Sequence, residues 1–117
     1  MPEFTIYHNP RCSKSRDSLA LLLEAGMKPT VIEYLKDPPD LEGLKKLRVL
    51  LDVPASAMVR TKEKAWEDTG LDSARASEEE ILGAIVKDPG LMERPVVVRD
   101  GRRAVIGRPA ERVRELL

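Results

Sequence analysis

"FTIYHNPRCSKSRDSLALLLEAGMKPTVIEYL", residues 4–35, decides the fold. Its first four residues, Phe4 to Tyr7, are β-prone and are stopped by Asn9-Pro10. Beyond Cys12, Leu19, Leu22 and Leu23 recur at the spacing of one helical face, and Gly26 closes that pattern. Thr30 to Leu35 is a second β-prone run. Strand, helix and strand in so short a stretch predict a right-handed βαβ unit with parallel strands, because a right-twisted strand packs a following helix back onto its sheet with that hand.

Working outward, "KDPPD" at 36–40 breaks the chain, and Leu41, Leu44, Leu47 and Leu50 then mark an amphipathic helix. Residues 52–70 are less regular, with short helices expected around Ala57 and Trp66. Met58 and Trp66 read as packing residues. Ser77 with Glu80 forms a capping-box signature for a helix that buries Ile81, Leu82, Ile85 and Val86, and "EEE" at 78–80 suits its positive N-terminal dipole. The pattern then changes: "PVVVRDGRRAVIG" places Asp100-Gly101 between two β-prone runs, a hairpin signal. Pro109 suits the first turn of a last helix with Val113, Leu116 and Leu117 inward. The expected fold class is therefore α/β: a four-stranded mixed sheet, βαβ…ββα, in one domain over residues 1–117 with a helical insertion at about 38–90.

Composition narrows the function. Hydrophobic residues are 42% of the 117, enough for a core, and aromatics are only 3%, so that core is expected to be mostly Leu, Val, Ile and Ala. Twenty basic and twenty acidic residues cancel, which gives no support to a nucleic-acid binder. One cysteine excludes an internal disulfide, and one cysteine with one histidine excludes a Cys/His zinc site. No apolar run reaches signal-peptide or membrane-span length, so the expected setting is cytoplasmic and reducing, without membrane contact.

The lone cysteine and the lone histidine fall together in "YHNPRCSKSR", residues 7–16. Cys12 lies where a strand ends and a helix begins. Unpaired N–H groups and partial positive charge favour an anion there. Arg11, Lys14 and Arg16 add full charges nearby, and such surroundings populate a thiolate. The same geometry binds an oxyanion, with N–H groups of residues 13–16 and the hydroxyls of Ser13 and Ser15 as donors. Ser15 occupies the second position of a C-x-x-C pair, so any resolving thiol comes from outside, most simply glutathione. His8 either hydrogen-bonds the sulfur or holds the loop, and Asn9 builds the turn. Arg94-Pro95 and Arg108-Pro109 bracket the hairpin and could aim two guanidiniums at one end of the sheet; alone, each reads as a surface arginine. Arg60, in "MVRTKEK", reads locally as a solvated helix residue.

Three ordered blocks, "YHNPRCSKSR", "LMERPVVV" and "IGRPAE", resemble the glutaredoxin-coupled arsenate reductase (ArsC) family over nearly the whole chain. The resemblance implies a thioredoxin-like fold with a helical insertion. It also implies a nucleophilic Cys12, a His8 that lowers the thiol's pKa, oxyanion contacts from Arg60, Arg94 and Arg108, and a cis peptide at Pro95. No bound metal or organic cofactor is implied; glutathione enters as co-substrate and glutaredoxin as protein partner, with arsenate as the small-molecule substrate. One departure is Ser13-Lys14, where many members carry Gly-Thr. Two alternatives accompany this reading: a glutathione-dependent thiol-disulfide reductase of other substrates, and a redox-linked transcription regulator, which the missing second cysteine disfavours.

Overall fold

The computed structural model describes residues 2–117. Four strands, β1 (Phe4–His8), β2 (Thr30–Glu33), β3 (Val96–Arg99) and β4 (Arg103–Ile106), form one sheet in the order β2-β1-β3-β4. β1 pairs with β2 in parallel, and β3 is antiparallel to both β1 and β4. Helix α1 (Ser13–Glu24) makes the crossover between the two parallel strands. The βαβ unit and the mixed four-stranded sheet are thus as the sequence predicts.

The strand pattern sets the core. Phe4, Ile6 and His8 alternate inward along β1. Ile6 stands opposite Val97, and Val97 opposite Val105, so three strands present one apolar row. Leu22 of α1 and Val113 and Leu116 near the C-terminus close over it, with Leu19 and Met27 packed at the margin. Full burial of one such leucine stabilises by roughly 1.5–3 kcal/mol. Helix α1 ends in a Schellman motif: Gly26 N–H donates to Leu23 C=O and Met27 N–H to Leu22 C=O, with Gly26 at φ 82°. At the hairpin, Asp100 (φ 55°) and Gly101 (φ 65°) are both left-handed, as a turn matched to strand twist requires.

Several local expectations are corrected. Leu23 is 57% exposed and Leu117 45%, and the inward face of α1 is Ser15, Ser18 and Leu22. Hydrophobic spacing overlooks two inward serines because it weighs only apolar residues. β2 stops at Glu33, since Lys36 and Asp37 N–H groups both turn back to Glu33 C=O. The last helix is a 3-10 helix, Ala110–Leu116, with Pro109 just outside it rather than in its first turn.

Pro38–Glu93 is a compact unit of its own; the sheet unit comprises the chain up to Asp37 and from Arg94 to Leu117. The helical stretch expected at about 38–90 falls within this unit. It contains α2 (Leu41–Leu51), α3 (Lys64–Thr69) and α4 (Glu78–Lys87). Asp40 caps α2 by accepting the Gly43 N–H, and Ser77 with Glu80 forms the expected capping box on α4. Leu44, Leu47 and Leu51 are the buried positions of α2; on α4 Ala84 is buried and Val86 is exposed. Met58 and Trp66 are buried, and no helix of the described residues is long and apolar enough to cross a membrane.

Candidate active site

Residues 9–12 form a tight turn that delivers Cys12 to the start of α1. Asn9 C=O accepts the Cys12 N–H at 3.0 Å, and Asn9 Oδ1 accepts the Arg11 N–H at 3.0 Å. Asparagine at the first and proline at the second position are the residues such a turn favours: the amide side chain bonds its own backbone, and Pro10 presets φ. Cys12 is extended (φ −95°, ψ 122°) and is the N-cap residue of α1. Its sulfur occupies the place of the oxygen that Ser, Thr, Asp or Asn would supply.

The thiol makes no cap hydrogen bond, yet its surroundings favour the anion. Partial burial pushes the Cys12 pKa up; the Ser15 amide, the Arg94 guanidinium and the Lys14 amide together outweigh burial and hold it below the ordinary thiol range. The dominant guanidinium comes from the far end of the chain. Of the local cations, Arg11, Lys14 and Arg16 are all exposed, and Arg16 donates to Pro10 C=O at 2.9 Å, which braces the turn. Arg108 Nη1 lies 3.8 Å from Cys12 Sγ and donates to Arg94 C=O at 3.2 Å. One arginine's backbone therefore anchors the other's side chain. The Arg94-Pro95 peptide is cis, as the resemblance implies, and Arg108-Pro109 is cis as well.

His8 does not reach the sulfur. Strand alternation turns it to the α1 side of the sheet, where Nδ1 meets Ser15 Oγ at 2.6 Å. Ser15 Oγ also accepts the Asn9 N–H at 3.0 Å. Ser15 is fully buried, so its hydroxyl ties β1, the turn and α1 together and is not presented to an oxyanion as expected. Ser13 stays exposed at the first helical position. The buried trio His8, Asn9 and Ser15 was legible in part: the β1 alternation and the spacing of Ser15, Ser18 and Leu22 place these residues on facing surfaces.

Burial lowers the His8 pKa; Glu33, its cross-strand partner, opposes this, and Arg16 adds to the lowering. A base whose folded pKa is depressed binds fewer protons folded than unfolded. Its stabilising contribution is complete above the unfolded value, near 6.5, and is lost as pH falls below it. The melting temperature should therefore decline on acidification from about pH 6.5, and that portion of the decline should vanish in His8→Asn. An unchanged pH profile in the variant would mean His8 does not titrate between the two states.

Arg60 belongs to the other unit. It is not in a helix; its N–H donates to Leu91 C=O at 2.8 Å, beside the Val59–Met92 bridge. Its guanidinium pairs with Glu63 at 2.7 Å and lies 3.9 Å from Glu93.

A thiol inclined to ionise, flanked by helix amides and two arginines, is suited to attack an electrophile that arrives as an anion. The ArsC family pattern matches residues 7–116. The chain is 44% identical over 118 residues to an arsenate reductase of Neisseria meningitidis serogroup A, covering all of both chains. It is 46% identical to YfgD of Escherichia coli K12, an uncharacterized protein, over 96% of this chain and 94% of that one. Among solved structures, the arsenate reductase of Vibrio cholerae superposes with a TM-score of 0.93 at 43% identity, covering 98% of each chain. With its three sequence blocks, its mixed sheet and its cysteine at the head of α1, the chain belongs to the ArsC family.

Proposed function

We propose that the chain is an arsenate reductase of the glutathione and glutaredoxin type. The observation that carries the reading is the convergence of Arg94, Arg108 and two α1 amides on one cysteine. Arsenate binds as an oxyanion beside Cys12 and is neutralised by the two guanidiniums, whose planar forks contact two oxygens at once. Arg60 is kept in the reading on the sequence resemblance alone.

The Cys12 thiolate attacks arsenic, and one As–OH group leaves as hydroxide, or as water after taking a proton from solvent, giving a covalent S–As bond. A glutathione thiol then bonds to the Cys12 sulfur. The S–As electron pair stays on arsenic, which departs as arsenite, two electrons richer. The mixed disulfide left on Cys12 is reduced by glutaredoxin, which takes the glutathionyl group and frees the thiol. Ser15 supports the external thiol: it offers no second sulfur, and it is buried in the turn network. Dependence on glutathione suits a reducing, cytoplasmic setting.

The test is steady-state formation of arsenite from arsenate with glutathione and glutaredoxin. Turnover that requires both thiol sources is the expected result. No arsenite, with turnover of a glutathionylated disulfide instead, would replace this reading by a general thiol-disulfide reductase. A companion measurement follows Cys12 alkylation against pH. Arsenate should slow it, because the bound oxyanion and the thiolate share the same guanidiniums.

A further inference from the structure

Gly107 carries no left-handed backbone; the described glycines with positive φ are Gly26, Gly70 and Gly101. Conformational freedom is therefore not what calls for glycine at this position. Space is. A Cβ built on Gly107 would meet Pro95 Cγ at 2.9 Å, Ser18 Cβ at 3.3 Å and Ser18 Oγ closer still. The Ser18 hydroxyl can rotate away. The Cβ of Ser18 is fixed to the backbone of α1, and the closed ring of Pro95 can only change its pucker, so neither clears the space as a rotating side chain would. Gly107 N–H also donates to Pro95 C=O at 2.9 Å, so the two segments are already drawn together. Ser18 is fully buried, and its hydroxyl has no hydrogen-bond partner. It faces the bare Cα edge of Gly107.

Each of the three segments that meet at this point carries one part of the site. Ser18 lies on α1, whose N-cap is Cys12. Pro95 follows Arg94, whose guanidinium acts on the thiol. Gly107 precedes Arg108, whose Nη1 stands 3.8 Å from the sulfur. A shift of the backbone at Gly107 is passed directly to Arg108, the next residue, and so to the distance between its guanidinium and Sγ.

We infer that Gly107 is a positioning residue: its missing side chain lets the end of β4 close onto Pro95 and Ser18, and this closure holds Arg108 over Cys12 for an anionic substrate. The inference rests on the oxyanion reading above and adds the residue that sets the spacing between thiol and guanidinium. It concerns a contact that touches neither substrate nor sulfur, and acts only through Arg108 and the seat of Arg94.

The experiment compares alkylation of Cys12 by iodoacetate, an anion, with alkylation by iodoacetamide, its neutral counterpart, in the full-length protein. Wild type should prefer iodoacetate beyond the intrinsic ratio of the two reagents. In Gly107→Ala that preference should fall about tenfold, the scale of one charge-assisted hydrogen bond, and the KM for arsenate should rise more than kcat falls. Gly107→Ala combined with Ser18→Gly, which removes both serine atoms from the contact, should regain part of the preference. A folded Gly107→Ala protein with the wild-type reagent ratio would overturn the inference. So would loss of the folded state in both variants, which would make Gly107 a folding residue. Failure of the oxyanion reading looks different: wild type itself would show no preference for the anionic reagent.

Discussion

Cys12→Ser should lose arsenite formation by at least about 10³-fold, the scale on which enzymes lose turnover when their nucleophile is removed, while the protein stays folded. The reason is the difference between sulfur and oxygen in the same field. The amides of Ser15 and Lys14 with Arg94 bring a thiol, already acidic, below its ordinary range. The same shift leaves an alcohol fully protonated at neutral pH. A serine also cannot enter the disulfide step, so even a slow first attack would lead nowhere. Stability should move the other way. Cys12 is the N-cap of α1 and makes no cap hydrogen bond, whereas serine is among the best N-cap residues, worth about 0.5–2 kcal/mol over a residue without a capping side chain. Arsenite assay and melting temperature, measured together, check both halves. Retained turnover would remove Cys12 from the nucleophile's role.

Arg94→Ala should raise the thiol pKa toward the ordinary cysteine range and raise the KM for arsenate about 10–100-fold, the loss expected for one hydrogen bond to a charged group. The sign follows from what is removed: a positive donor that favours the thiolate over the thiol. The pH midpoint of alkylation therefore moves up. Arg108 should remain near its place, because it is the Arg94 backbone carbonyl, not the side chain, that accepts from Arg108 Nη1. Folding should be little affected, since the backbone contact of this segment, Gly107 N–H to Pro95 C=O, is untouched. A collapse in melting temperature with an unmoved thiol pKa would make Arg94 a structural residue.

Local patterns carried most of the fold because they report what each segment must bury. The alternation of β1, the leucine spacing of α2, the capping box at Ser77 and the Asp100-Gly101 turn are all short-range facts, and each element forms at or near its expected place. Where such reasoning failed, the cause was a polar residue facing inward or an apolar one facing out. Ser15 and Ser18 replace the expected Leu23 on the buried face of α1. For His8 the sequence leaves two roles open, and the pleat of β1 selects the second: it turns the ring to Ser15, where it holds the loop.

By itself, the sequence determined the βαβ start, the hairpin and the cysteine at a helix N-terminus, because hydrophobic period, turn chemistry and capping act over a few residues. It also determined that the chain holds one cysteine, so that the proposed mechanism has to draw its second thiol from outside. Only the tertiary structure decided which cations act on that sulfur. Arg11, Lys14 and Arg16 are near it in the chain, but the Arg16 guanidinium turns to Pro10 C=O instead. Arg94 and Arg108 are remote in the chain and close in space, because β3 pairs beside β1 and Gly107 lets β4 end against α1. Charge acts through distance in three dimensions, and that distance is set by packing.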